Sequence, residues 1–583
     1  MLRDSDLVSI QEVRAKVEQA YAAFQQFRNF SQDQLDAIVE AMAAAARANA
    51  ARLAQLAVEE TTYGNARDKV AKNLLAADIL PRAIRGLKTI GVLREDAEKK
   101  VVEIGVPVGV VAAILPTTNP TSTAIYKIII SLKAGNAVVL SPHPRAKACS
   151  CETAQILYEA ARAAGAPEHI IQCINNATME GTDALMRHPR TSVILATGGS
   201  GIVKAAYSSG KPAFGVGPGN VPVLLDASAP IPEAVAKVVQ GKSFDYGTIC
   251  SSEQTIVALA SARTAVLDAL RASKAHLCSA DEAKVLAKLL IAPNWRINAH
   301  CVGQAPTKIA QMAGFNVPAD TSILVAEIGG VGKEHPLSME KLSPVLSLLF
   351  VQGWEEQVRA CQAILKFGGL GHTSVIHATD EARIREYGLR IPSFRVLVNT
   401  PSPQGSTGIT TGVQPAMTLG CGAMAGNATS DNIGPLNLIN VKRVAMVIRT
   451  VEQAFGSLPA ADAKLDVGGA VERFLKQRGF AAPAPAPQSI ATAVVDRFLT
   501  RRTPEPAPAP APSCGCSAPA LPAPAPPPAA EPPVAITDFV CEADVRSALN
   551  MNKKIHIGPR TIVTPAAREL ANQHDILVTA QRS

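Results

Sequence analysis

Val108-Gly109-Val110-Val111-Ala112-Ala113-Ile114-Leu115-Pro116-Thr117-Thr118-Asn119-Pro120 decides the fold. Residues 108–115 are uncharged and mostly apolar, broken only by Gly109, which is the pattern of a strand buried in a parallel sheet. Pro116 to Pro120 turns the chain, and a helix is expected through Ile128 to Leu132. A Gly135-Asn136 turn, a strand at Ala137–Leu140, a helix at Cys151–Ala164 and a strand at Ser192–Ala196 follow. Thr197-Gly198-Gly199-Ser200-Gly201 then opens another helix. This alternation is the grammar of a doubly wound α/β domain.

Upstream, residues 8 to 100 are expected to be helical. Val13, Val17, Ala20, Tyr21 and Phe24 recur at helical spacing, as do Leu35, Ile38, Val39 and Met42. Ser31 stands as an N-cap, with Gln34 completing a capping box. Downstream, strands near Thr255–Leu259, Ser322–Ala326 and Val345–Val351 announce a second α/β domain. Pro and Ala dominate 481–487 and 503–533, which should be extended linkers. The expected layout is N-terminal helices with a cofactor-binding domain (1–251), a catalytic domain with late segments returning to the core (252–455), linkers carrying two amphipathic helices (456–534), and a small α+β module (535–583).

The chain has 583 residues, 47% apolar and 18% charged, so it can bury more than one core. Aromatic residues at 4% argue against stacking platforms for nucleic acid. A net charge of +8 is too diffuse for DNA binding and suits phosphorylated small ligands. The 11 cysteines have no scaffold spacing, and no signal peptide or spanning run is visible. A reducing, cytosolic setting is expected.

Ser243-Phe244-Asp245-Tyr246-Gly247-Thr248-Ile249-Cys250-Ser251-Ser252-Glu253-Gln254 places one cysteine in a small polar turn before an apolar strand. Such a thiol can face a cleft as a nucleophile, although a lone cysteine is more often a small buried hydrophobe. Thr197–Gly201 at a helix start can cradle phosphate, and an ordinary strand–helix turn reads equally well. Cys149, Cys151 and Cys421 are read as structural. His372 is read as a structural imidazole, with a role beside the thiol as the alternative. No cysteine–histidine spacing suggests a metal site.

Together with Leu132–Ala137, Ser141–Arg145, Phe214–Asn220, Glu340–Val345 and Gly369–Thr373, these motifs resemble the aldehyde dehydrogenase superfamily over residues 8 to 450, and more closely its CoA-acylating branch. The resemblance implies that Cys250 attacks the aldehyde and carries a thioester. It implies that Asn119 and the Cys250 backbone N–H hold the oxyanion and that Glu340 holds the nicotinamide ribose. Thr197, Gly198 and Gly199 would lie along the pyrophosphate, with Ser141 and His143 at the adenosine end. The hydrolytic branch carries a water-activating Glu in Glu-Leu-Gly-Gly-Lys. Here the stretch is Phe214-Gly215-Val216-Gly217-Pro218-Gly219-Asn220, with Gly215 placed at the carboxylate position. A thioester left without that base can wait for a thiol. Where NAD-selective relatives carry Lys-Pro-x-Glu, this chain has Ser141-Pro142-His143-Pro144, then Arg145 and Lys147. That pattern admits NADP as well as NAD, and the two basic residues suit the phosphates of coenzyme A.

Val471-Glu472-Arg473-Phe474-Leu475-Lys476-Gln477-Arg478 is echoed by Val495-Asp496-Arg497-Phe498-Leu499-Thr500-Arg501-Arg502. The two amphipathic helices expected at 466–479 and 489–502 resemble encapsulation peptides of bacterial microcompartment enzymes. Docking on their own catalytic domain and lying on a membrane surface are the alternatives. The reading is an acylating dehydrogenase of acetaldehyde or propionaldehyde in a bacterial microcompartment lumen, using NAD and coenzyme A. Its expected partners are shell proteins and further copies of itself, with no nucleic acid and no transmembrane segment. A hydrolytic aldehyde dehydrogenase is the rival within the class. A scaffold protein with an inert catalytic half is the rival outside it.

Overall fold

In a computed structural model of the chain, the strand expected at 108–115 is Val110–Ile114, with every residue buried. The structure describes residues 4–456, 467–477 and, except 552 and 575, 537–579. The second amphipathic segment (489–502), both Pro/Ala stretches and Cys514/Cys516 lie outside these. The chain divides into two units, residues 1–459 and 460–583, and each is described by itself.

In the first unit, Val110–Ile114 pairs in parallel with Ala137–Ser141 on one side and Thr191–Thr197 on the other. Ile171–Cys173 and Ala213–Val216 complete the sheet at its two edges. The chain winds outward to Ile171–Cys173 and returns on the opposite side of Val110–Ile114. Strand order therefore reverses between Val110–Ile114 and Thr191–Thr197, and a crevice opens at their C-terminal ends. Lys127, on the wholly buried helix Pro120–Lys133, pins this reversal. Its Nζ donates to the carbonyls of Ile114 at 2.6 Å and Leu195 at 2.8 Å.

A second parallel sheet has the order 276–277, 324–327, 345–351, 253–259, 221–225, 371–377, 393–398. It begins at Val221–Leu225, so the boundary expected at residue 251 is corrected upstream. That strand is as fully buried as those of the first sheet, and hydropathy alone could not assign it to one sheet or the other. Ala416, Met417, Leu419, Cys421, Ile433 and Leu438 pack into the core of the first sheet.

The helical expectation for residues 8–100 stands for Ser5–Phe27 and for Gln32–Ala48, which carries the Ser31–Gln34 capping box. It fails after Ile84. Gly91–Asp96 and Val101–Pro107 form an antiparallel hairpin, joined by Ile439–Ala445. Gly91–Asp96 buries neither face, so its sequence lacks the alternation that would mark a strand. Cys151 is disulfide-bonded to Cys173, with Cα atoms 5.5 Å apart. The residues are 22 apart in sequence and meet because helix Lys147–Ala163 packs on the edge strand Ile171–Cys173.

In the second unit, Val467–Gln477 is a helix. Thr537–Val540, Ile555–Val563 and Leu577–Thr579 form a parallel sheet with Glu542–Asn550 and Pro565–His574 in the crossovers. Its connections are therefore α/β rather than the expected α+β. Ile555–Val563 is one strand, because a bulge opposite Thr537–Phe539 absorbs the residues at its middle.

Candidate active site

The two large sheets of the first unit meet end to end. The first presents the C-terminal ends of its strands, and the second presents the turns that precede its strands. Between them lies a cleft of about 400 Å³. Asn119, Ser141, His143, Thr197, Gly198, Gly199, Cys250 and Glu340 all line it. Those eight positions are spread between residues 119 and 340, and the sheet ends bring them together.

Cys250 sits three residues before strand Glu253–Leu259. The turn leading to it is bent sharply, with Asp245, Tyr246 and Gly247 at φ of +47°, +51° and +71°. Left-handed backbone at a non-glycine residue costs on the order of 1 kcal/mol, so something must hold it there. The Asp245 carboxylate does so. It accepts the Asn65 N–H at 2.8 Å, the Thr248 hydroxyl at 2.6 Å and Lys69 Nζ at 3.1 Å, and it pairs closely with Lys72.

His372, at the start of strand Gly371–His377, places Nε2 3.2 Å from Cys250 Sγ. Its Nδ1 meets Thr373 Oγ1 at 2.9 Å. This favours the alternative reading of His372, a role beside the thiol, over the purely structural one. Burial, with the charges of Glu340 and Cys421, pushes the Cys250 thiol up to about 12, against a smaller opposing pull from Arg395. Burial and Arg395 pull His372 down to about 3. The pair is therefore a neutral thiol beside a neutral imidazole at ordinary pH.

Glu340 is 6% exposed and accepts the Gly219 N–H at 3.2 Å. Burial pushes it up to about 8, so near neutrality it is mostly protonated. Gly219 must be glycine, because a Cβ there would lie 2.0 Å from the Cys250 carbonyl oxygen. Gly215 lies outside the cleft, and a Cβ on it would meet Val203 at 2.7 Å and Tyr207 at 3.0 Å. Val216 and Gly217 line the cleft instead. Neither is acidic.

On the other bank, helix Ser200–Tyr207 begins at Gly199 with no side-chain cap. A Cβ on Gly199 would meet nothing within 4 Å. Backbone N–H groups at such a helix start suit a pyrophosphate, so these residues fit a dinucleotide. Ser141 Oγ is 2.9 Å from Thr182 Oγ1. His143 Nδ1 accepts the Arg145 N–H at 3.1 Å. The Arg145 guanidinium lies over the Tyr63 ring, and neither Arg145 nor Lys147 lines the cleft.

Reasoning from sequence missed Lys69, Lys72 and Asp245. One signal was available: helix Ala66–Leu74 buries Lys69, Lys72 and Asn73, so its inward face is polar and lacks an apolar stripe. Sequence spacing also missed the convergence of His276, Cys278 and Glu282 away from the cleft. Their contacts are those of a helix cap, with Glu282 accepting the Ser279 N–H at 2.7 Å and meeting His276 at 3.2 Å.

The model of the aldehyde dehydrogenase family matches residues 5–285. The bifunctional aldehyde-alcohol dehydrogenase AdhE of Escherichia coli is 41% identical over 495 residues, covering 82% of this chain and 55% of that protein. The chain thus spans about half the length of such curated relatives. An acetylating aldehyde dehydrogenase from Geobacillus thermoglucosidasius is 50% identical with a TM-score of 0.76, over 77% of this chain and 99% of that one. A propionaldehyde dehydrogenase from the fucose utilisation microcompartment of Clostridium phytofermentans is 28% identical (TM-score 0.68, 74% and 97% covered). The Rhodopseudomonas palustris propionaldehyde dehydrogenase with bound propionyl-CoA is also 28% identical (TM-score 0.68, 74% and 94% covered). With these relatives and this cleft, the chain belongs to the aldehyde dehydrogenase family, among its acylating members.

Proposed function

We propose that the chain oxidises a short aliphatic aldehyde, acetaldehyde or propionaldehyde, to the acyl-CoA through a thioester on Cys250. The observation that carries this is the composition of the cleft: a thiol paired with a neutral imidazole, and no carboxylate free to activate water. Among the described residues Glu340 is the only carboxylate lining it, and burial keeps Glu340 protonated.

As Sγ bonds to the aldehyde carbon, the thiol proton passes to His372 Nε2. Asn119 Nδ2 and the Cys250 N–H receive the developing oxyanion. A bound NAD or NADP supplies the hydride acceptor, and coenzyme A supplies the thiol that removes the acyl group. Once His372 has released the first proton to solvent, it can take the proton of that incoming thiol and return it to Cys250 Sγ as the acyl group leaves. Glu340 and the Thr197–Gly199 turn would hold the dinucleotide at its ribose and pyrophosphate, with Ser141 and His143 towards the adenosine. No carboxylate stands at 141–144 to repel a 2′-phosphate. The test is NADH formation from acetaldehyde with and without coenzyme A. Sustained turnover should require coenzyme A, and equal turnover without it would make the enzyme hydrolytic.

The tail reading is proposed on the same footing. Helix Val467–Gln477 leaves Val471 51% and Phe474 56% exposed, which suits an amphipathic segment for a shell protein. The microcompartment origin of one relative supports it. Phe474→Glu should then weaken co-sedimentation with shell proteins, and unchanged co-sedimentation would remove this helix from targeting.

A further inference from the structure

Lys69, Lys72 and Asp245 stay out of the cleft, yet they touch Asn119 and the turn that carries Cys250. Lys72 is fully buried on helix Ala66–Leu74. Its Nζ donates to Asn119 Oδ1 at 2.6 Å and to Thr248 Oγ1 at 3.3 Å, and it pairs with the Asp245 carboxylate. Lys69 Nζ donates to the Thr118 carbonyl at 3.0 Å and to Asp245 at 3.1 Å. One ammonium thus joins the residue that faces the oxyanion to the turn that carries the nucleophile. We propose that Lys72 is a positioning residue for acyl chemistry, setting the orientation and donor strength of the Asn119 amide towards the oxyanion formed on Cys250. The proposal rests on the reading of Asn119 as oxyanion donor.

The orientation follows from donor counting. An ammonium offers only donors, so it accepts only the oxygen end of the Asn119 amide as its partner. The nitrogen end must then face the other way. One of its N–H groups meets Thr118 Oγ1 at 3.0 Å, and the second is available to the cleft that Asn119 lines. Strength follows from polarisation. A cation on the carbonyl oxygen draws electron density from the amide, and hydrogen bonds in series reinforce one another at low dielectric.

Charge explains why the arrangement is stable enough to serve. Two ammonium groups face Asp245, whose backbone N–H in turn donates to Asp68 at 2.7 Å. Burial, with Lys69 adding to it, pulls Lys72 down to about 7, and Asp245 and Asp68 oppose this, so the ammonium form that the proposal uses is the one present below that value. Removing Lys72 leaves the Lys69–Asp245 pair balanced, so Lys72→Met should keep the bent turn.

Two thiol reagents separate positioning from support. p-Nitrophenyl acetate reacts by Sγ attack on the ester carbonyl. The thiol proton goes to His372, an oxyanion forms, and its collapse expels p-nitrophenolate and leaves an acetyl thioester. Iodoacetamide reacts by direct displacement of iodide and forms no oxyanion. Neither reagent needs a dinucleotide or coenzyme A, so the result stands whether or not the dehydrogenase reading does. In the full chain, Lys72→Met should slow Cys250 acetylation by about ten- to hundredfold, the range for a hydrogen bond to a charged group. Alkylation should stay within about twofold of the parent. In an Asn119→Ala background the same substitution should add nothing further. Lys72→Gln, which keeps a neutral donor, should lose less, and it serves as the reporter if the Met variant does not fold. Equal slowing of both reagents would make Lys72 a support for the turn only. No slowing, or effects that multiply with those of Asn119→Ala, would also overturn the proposal.

Discussion

The two banks of the cleft are made differently. The bank from the first sheet is mostly backbone and small residues, Thr197, Gly198 and Gly199 at a helix start with Ser141 nearby, and Asn119 is the one residue on it that takes part in the proposed reaction. The bank from the second sheet carries the titratable groups: Cys250 and Glu340 line it, with His372 buried behind the thiol, and their surroundings shift all three far from their ordinary ionisation. A binding surface can be built from local turns, because backbone N–H groups at a helix start need no distant partner. A reacting surface needs groups from several strands whose environments tune one another.

The comparison breaks first at Cys250. Cys250→Ala should abolish acyl-CoA formation while a fluorescence titration still detects dinucleotide binding, because only the reacting bank has lost its nucleophile. Residual turnover would move the nucleophile elsewhere. The next largest effect is with pH. A thiol raised to about 12 stays protonated below that value, and the thiolate is the reactive form. Cys250 alkylation in the free enzyme should therefore climb about tenfold per pH unit from 7 to 10. A plateau near neutrality would mean a thiolate–imidazolium pair. Gly199→Asp should sharpen the contrast from the other bank. A carboxylate beside the helix start should raise the KM for the dinucleotide by about tenfold and leave kcat near that of the parent. A fall in kcat instead would show that the banks are not separable. The smallest effect should follow deletion of residues 460–583. The cleft is lined entirely by residues between Tyr63 and Leu419, so turnover in solution should change by less than about twofold. Loss of activity would tie the tail to the catalytic unit.

Legibility in the sequence followed the same division. Val110–Ile114 was readable because a strand buried on both faces needs one continuous apolar run. Thr197–Gly199 and Cys250 stood out locally by glycine and small polar residues, but that pattern alone fitted an ordinary turn and a buried thiol equally well, and the family resemblance was needed to give them roles. His372 was not, since its approach to Cys250 depends on where strand Gly371–His377 sits beside Val221–Leu225, a pairing no local pattern encodes. Lys72 and Asp245 lie 173 positions apart and meet across the fold. The Gly91–Pro107 hairpin escaped for the opposite reason: it lies outside the cores, so burial left no mark on its residues.

The central claim is a thioester on Cys250 that waits for a thiol. Intact-protein mass spectrometry, with peptide mapping, on enzyme mixed with acetaldehyde and NAD but no coenzyme A tests it directly. The account predicts one equivalent of NADH per active site and an acetyl adduct on Cys250 that persists until coenzyme A is added and then leaves as acetyl-CoA. Continuing NADH formation with free acetate and no adduct would contradict it.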